Sequence, residues 1–253
     1  MSAEAVTHPG LRTKHGFFTR RGGVSQGPYA SLNANFSGGD DPAHVAQNRA
    51  LVAQALGVRP ENLLGLKQVH GDVVVTVTEP WEAGQGAAAD GLVTDRPGIA
   101  LGVITADCAP VLLCDATAGV IGAVHAGWRG AAGGVIEAAL ASMQALGATA
   151  ANTAAVVGPC IAAASYEVGP DLRGAVLATL PDAAAFFAPG RPPDRFWFDL
   201  PGYCLARLRA AGISQAHAVG MDTCADTDRF FSHRRRTLGA GGAIGHQISA
   251  IVL

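Results

Sequence analysis

Three residues of this 253-residue chain carry side chains from which a catalytic metal centre could be built: His70 in KQVHG, Cys108 in ITADCAP and His125 in AVHAGWRG. One thiolate and two imidazoles form a three-ligand zinc set that leaves a fourth position for water or substrate. Their wide separation along the chain carries little weight, because ligands at separate strand ends can have any spacing. Taken singly, each has a plainer role. A cysteine after a buried strand packs more often than it ligates, and a lone histidine is usually hydrogen-bonded in surface or core. Repetition raises the metal reading: each of the three follows an apolar strand and sits at a glycine-bearing or tight turn. Asp107 is the nearby acid that could move protons. As ligands, Asp107 and Cys114 are less attractive, since Cys114 lies in the apolar run VLLC.

The stretch 99–130 must deliver two of the three. It reads as buried strands at 99–104 and 120–124, with Cys108 in the turn after the first and His125 directly after the second. Strand ends that bring a thiol and an imidazole to one place are how α/β folds build active sites. The Gly-Trp-Arg-Gly turn then opens a long helix over 131–146, closed by Gly147. Free amides at that helix start, its dipole and the Arg129 guanidinium together favour an anion such as phosphate, and a solvated first-turn arginine is the equal alternative. Trp128 and Phe231 could face a flat heterocycle, with core packing the plainer role for both. Arg20, Ser31 and Asn33 lie around the long polar turn GGVSQGPYASLN, either as solvated surface or as a substrate-facing loop.

Elsewhere the pattern alternates strands and helices. A first strand falls at 14–21, and Asp41-Pro42 caps a helix with Val45, Val52 and Leu56 on one face and Gly57 at its end. Residues 62–69 read as a strand with 73–77 as its hairpin partner, 83–89 as a loop, and DGLVTD as a further strand. A strand at 154–157, a helix at 171–180, an irregular segment at 182–198, a helix capped by Asp199 and closed by Gly212, and strands at 216–219 and 247–253 follow. This order specifies an α/β fold with mixed sheets.

Hydrophobic residues make up 49% of the chain and charged ones 15%, which excludes a disordered protein. One domain over 1–253 is expected, with 1–13 loosely ordered. The net charge of −2 gives no bias toward nucleic acid or an anionic membrane. No apolar signal segment and no run of about 20 apolar residues is present, so a cytoplasmic protein is expected. The five cysteines are an odd, scattered set and do not read as a disulfide framework. A monomer is expected.

The motifs KQVHG, ITADCAPVLL, AVHAGWRG, GPCI…YEVG and FFSHRR, with the opening FFTRRGGVS…SLN, resemble the YfiH-type family, also called the laccase-domain or "polyphenol oxidase" family. The resemblance runs from about Gly16 to the C-terminus. It implies a four-layer α/β/β/α fold of the YfiH and cysteine-hydrolase type, and zinc at His70, Cys108 and His125. It also implies phosphorolysis of adenosine, inosine and methylthioadenosine to free base and ribose 1-phosphate, with adenosine deamination beside it. Zinc would act as Lewis acid and water activator. Motif membership makes Arg20, Asn33, Gln68, Arg129, Phe231 and Arg234 the candidate substrate contacts. The chain departs from the family pattern at His233, where Tyr is usual, at Arg236, where an acidic residue is usual, and at His246, where Arg is common. Ala163 and Ala164 replace a second cysteine before YEVG. Other readings of the same residues are a hydrolase or deamidase with Cys108 as nucleophile and His125 as base, a copper-dependent polyphenol oxidase, and a non-catalytic partner-binding protein.

Overall fold

Alternation along the strands sorts their side chains into three cores, and those cores separate four layers. The computed structural model describes residues 2–180, 182–191 and 193–253. Met1 of the N-terminal stretch and Pro192 of the 182–198 segment lie outside the described residues, as does Pro181.

A five-stranded sheet runs in the order Ala5–Val6, Lys14–Phe18, Gln247–Val252, Ala100–Thr105, Leu63–Leu64. A six-stranded sheet runs Gln215–Ala218, Ala154–Val157, Ala109–Asp115, Val120–Ala126, Gly91–Thr94, Val74–Thr76. Both mix parallel and antiparallel pairs. Phe17, Leu64, Leu101, Val103 and Ile251 of the first sheet meet Leu92, Leu112, Ile121 and Val156 of the second in the central core. The alternate residues Phe18, Leu63, Ala100, Ile248 and Val252 turn outward onto Val52, Ala53 and Leu56 of helix Pro42–Leu56. On the far side, Val93, Val111, Leu113, Val124 and Val157 pack on Val135, Ile136, Ala139 and Met143 of helix Val135–Ala145 and on Tyr203, Cys204 and Leu208 of helix Leu200–Ala210. The layers are therefore helix, sheet, sheet, helices. Each fully buried aliphatic or aromatic side chain in them contributes roughly 1.5–3 kcal/mol.

Local signals act where expected. Asp41 caps its helix by accepting from the Ala43 amide at 2.8 Å, and Gly57 ends it in the left-handed conformation at φ 75°. Asp199 caps Leu200–Ala210 by accepting from the Gly202 amide at 3.0 Å.

Four expectations change. Residues 62–77 form no hairpin: Leu63–Leu64 pairs parallel with Ala100–Leu101, while Val74–Thr76 pairs parallel with Gly91–Val93 in the other sheet. The stretch 99–130 holds three strands rather than two, because Ala109–Asp115 is a central strand despite Pro110. That proline is tolerated near the strand's start. The helix after His125 is two helices, Trp128–Gly133 and Val135–Ala145, broken at Gly134, whose φ of 105° a helix cannot contain. The 182–198 segment, expected to be irregular, supplies Phe187–Pro189 and Phe196–Phe198, which build a small antiparallel sheet with Glu167–Val168. Within 1–13, Ala5–Val6 pairs antiparallel with Phe17–Phe18. Among the described residues no helix is long and apolar enough to cross a membrane.

Candidate metal centre and active-site cleft

Strand Ala100–Thr105 belongs to the five-stranded sheet and Ala109–Asp115 to the six-stranded one, so residues 106–108 carry the chain from one sheet to the other. That crossing places Cys108 at the mouth between the layers. Asp107 turns it with φ 93°, a conformation that costs a non-glycine residue energy and that functional sites often retain. His125 is in the last turn of strand Val120–Ala126, opposite Pro110, rather than beyond the strand. His70 comes from the loop before Val74–Thr76 and is likewise left-handed, at φ 61°.

The three side chains converge. One ligating atom each from His70, Cys108 and His125 lies within 4.8 Å of the others, and this is the single such cluster of His, Cys, Asp or Glu among the described residues. The Cys108 Sγ to His70 Nε2 distance is 3.8 Å, and the two imidazoles meet edge to face with centroids 4.7 Å apart. Gly127 is required here. A Cβ on it would come within 2.9 Å of His70 Cδ2 and 3.2 Å of Cys108 Sγ. Gly130 is required for a similar reason, since its Cβ would sit 2.6 Å from the Gly71 carbonyl oxygen.

Asp90 holds the arrangement together. Its fully buried carboxylate accepts from the amides of Val69, His70 and Gly71 at 3.2, 2.9 and 2.7 Å, and from His125 Nδ1–H at 2.8 Å. One carboxylate thus fixes the backbone of one candidate ligand and the tautomer of another, leaving the second ring nitrogen of His125 available. Carboxylate–histidine pairs of this kind orient metal ligands. Burial raises the Asp90 carboxyl, yet the His125 bond and the Gly71 and His70 amides outweigh it and keep it below its ordinary value. Burial also opposes ionisation of Cys108, but the charge and hydrogen bonds of His125, then those of His70, bring the thiol down to about 6. For His125, burial pulls down and the Cys108 and Asp90 charges and hydrogen bonds carry it up to about 9. A thiol readily ionised between two imidazoles fits a divalent ion well.

The cluster opens on a cavity of about 620 Å³, the right scale for a nucleoside-sized molecule. Its charged lining residues are Lys67, Arg129, Arg234 and Asp107. Asp107, expected as a proton carrier, has no free oxygen: Oδ1 accepts from Thr223 Oγ1 at 2.7 Å, and Oδ2 from Ser232 Oγ at 2.9 Å and the Arg234 amide at 2.6 Å. It ties the C-terminal segment to the Cys108 turn. The uncommitted charge facing the cavity is therefore positive.

Of the expected substrate contacts, Arg129, Gln68 and Arg234 line the cavity. Arg129 lies over the Trp128 ring at 4.5 Å, and its helix has only six residues, which removes the long-helix dipole argument. Gln68 spends both ends of its amide on the Ile104 backbone, at 2.7 and 2.8 Å. Arg234 donates to the Glu167 carbonyl at 2.8 Å and covers Tyr166, whose hydroxyl burial pushes up. Three others are structural. Arg20 donates to the Ala30 carbonyl and stacks on Phe231, Phe231 is fully buried beneath that guanidinium, and buried Asn33 anchors Asp40 and the His246 amide.

Sequence reasoning missed Asp90 and Thr105. An aspartate opening a strand looks like any turn residue. Thr105 lines the cavity with a buried hydroxyl that has no partner among the described residues. His233 and His246, noted as departures, also line it.

Two packed mixed sheets whose adjoining ends present a thiol and two imidazoles to an open cleft define a mixed α/β protein with a candidate metal centre. A model of the family described as "Multi-copper polyphenol oxidoreductase laccase" matches residues 14–253, and the chain belongs to that family. It is 41% identical over 241 residues to a Streptomyces griseus protein named purine nucleoside phosphorylase ORF3, covering 94% of this chain and 96% of that one. The crystal structure of YlmD from Geobacillus stearothermophilus superimposes with a TM-score of 0.91 at 29% identity, over 100% of this chain and 96% of the other. The Bacillus licheniformis YfiH structure gives 0.87 at 30% identity, over 94% and 92%. These likenesses establish the YfiH-type fold.

Proposed function

We propose that the cleft performs phosphate-dependent cleavage of purine nucleosides, with adenosine, inosine and methylthioadenosine as the substrate class and a single zinc ion at His70, Cys108 and His125. The observation that carries it is the convergence of those three ligating atoms, within 4.8 Å, on a cavity whose free charge is cationic. The relative named purine nucleoside phosphorylase supports the same reading.

The donor set fits zinc: one soft thiolate, two imidazoles and a carboxylate orienting one imidazole. When bound, the ion supplies Lewis acidity and activates a water or substrate oxygen. The chain's own groups do the rest. Arg129 and Arg234 hold phosphate, whose oxygen bonds to C1′ while the C1′–N9 electron pair leaves with the base, which takes up a proton. Trp128 offers an aromatic face to the purine. Asp90 keeps His125 oriented, and Asp107 positions the Arg234 backbone rather than moving protons. Hydrolytic deamination of adenosine, with water adding at C6 and ammonia leaving, is a second reading, favoured by a donor set that reserves one position for water.

Incubation of purified, zinc-loaded protein with inosine or adenosine should release hypoxanthine or adenine with ribose 1-phosphate only when phosphate is present. Ammonia release from adenosine tests the second reading. Intact nucleosides in every mixture would overturn both.

A further inference from the structure

Beside the main cleft lies a second cavity of about 110 Å³, and the two share Asn35, Ser37, Lys67 and Gln68 in their walls. Its charged lining residues are both cations, Lys67 and Arg49. Arg49 is unusual. It projects from helix Pro42–Leu56, is 8% exposed, and has no carboxylate in ion-pair range among the described residues. One of its N–H groups donates to the Leu63 carbonyl at 2.9 Å, and the guanidinium lies 5.6 Å from the Phe36 centroid. Its Nε and Nη1 have no hydrogen-bond partner among the described residues, and neither is sealed from solvent.

A largely buried guanidinium without a counter-charge is costly even where some of its N–H groups reach solvent, and an apolar residue of the same length would pack more cheaply. Burial alone pulls Arg49 down to about 10, so it stays charged at neutral pH. Glycine at residue 65 leaves the guanidinium uncovered on that side, where a side chain would lie in van der Waals contact with it. A Cβ there would reach 3.4 Å from Nη2 and 3.7 Å from Nη1. Gln68, pinned at both ends to Ile104, gives this wall a fixed shape.

We propose that this side cavity is a second anion subsite, in which Arg49 and Lys67 bind a phosphoryl group next to the main cleft. A planar guanidinium with free N–H groups matches phosphate oxygens in pairs, and a lysine at the rim adds a point charge. The phosphoryl group comes either from free orthophosphate or from a phosphomonoester such as a nucleoside 5′-phosphate whose nucleoside part occupies the cleft. The proposal does not depend on turnover, because binding alone reports it.

Titration calorimetry of the full chain with orthophosphate and, separately, adenosine 5′-monophosphate tests it. Lys67→Gln, at an exposed position, and Gly65→Ala, whose methyl would lie against the Arg49 guanidinium while leaving its charge in place, are expected to weaken binding. Arg49→Met should remove the binding that persists in Arg129→Gln, or weaken it about tenfold or more. Arg129→Gln, in the main cleft, serves as comparison. Weakening of orthophosphate by the first three variants assigns the site to free phosphate, and weakening of the monophosphate alone assigns it to a phosphomonoester. Should Arg49→Met fail to fold, Gly65→Ala still decides. Neither anion binding, or binding that is insensitive to Gly65→Ala whatever Lys67→Gln does, overturns the proposal, because Lys67 also lines the main cleft.

Discussion

The cleft has two walls, each organised by one buried aspartate to a different end. Asp90 gathers three amides and one imidazole, and two of its four partners belong to candidate metal ligands. Asp107 gathers two hydroxyls and one amide, all from the C-terminal segment. The same device fixes candidate-ligand geometry on one side and ties the C-terminal lining of the cavity to the Cys108 turn on the other. None of the departures from the resembled pattern falls at His70, Cys108 or His125. The departures His233 and His246 line the cavity, and Arg236 lies in the helix that His233 opens.

Changing Cys108 to Ala should have the largest effect. It removes a ligand outright, so bound metal and nucleoside cleavage should both fall to background by elemental analysis and product assay. Replacing Asp90 by Asn comes next. Losing the charge behind His125 should weaken metal binding about 10–100-fold in a chelator competition. Replacing Asp107 by Asn sharpens the contrast, because metal affinity should stay within a few-fold of wild type. Loosening of the 223–234 segment should instead lower stability by about 1–3 kcal/mol in denaturant unfolding and raise the KM for nucleoside. Equal metal loss in the two aspartate variants would erase the distinction between the walls.

The smallest effect concerns cysteine chemistry in metal-stripped protein. Cys108, held down at about 6, becomes thiolate as pH rises through that value, so its alkylation should climb between pH 5 and 7 and then level off. Burial pushes Cys204 up to about 12 and Cys160 up as well, so neither should react in the folded state. Mass spectrometry of the alkylated sites checks this.

What the sequence made legible was local or compositional. Asp41 and Asp199 act within their own helices, and alternation separates inner from outer strand residues without knowledge of partners. The triad was legible because three residues of two uncommon types, histidine and cysteine, each followed an apolar run. Long-range facts were not. Leu63–Leu64 and Val74–Thr76 are near in sequence yet belong to different sheets, since each found a parallel partner further along the chain. Asp90 looks like a strand opener until the 69–71 loop folds over it. Arg20, Asn33 and Phe231 sit in specific motifs, yet their polar atoms and ring are consumed in holding the chain, which motif membership does not distinguish from contact with substrate.

The central claim is tested most directly by stepwise removal of metal with a chelator, measuring bound ion and phosphate-dependent base release on the same samples. Base release should fall in proportion to the ion, reach zero at none, return on adding zinc, and correspond to one ion per chain when full. Undiminished release from metal-free protein, abolished instead by alkylating Cys108, would contradict the metal centre and make Cys108 a nucleophile with His125 as its base.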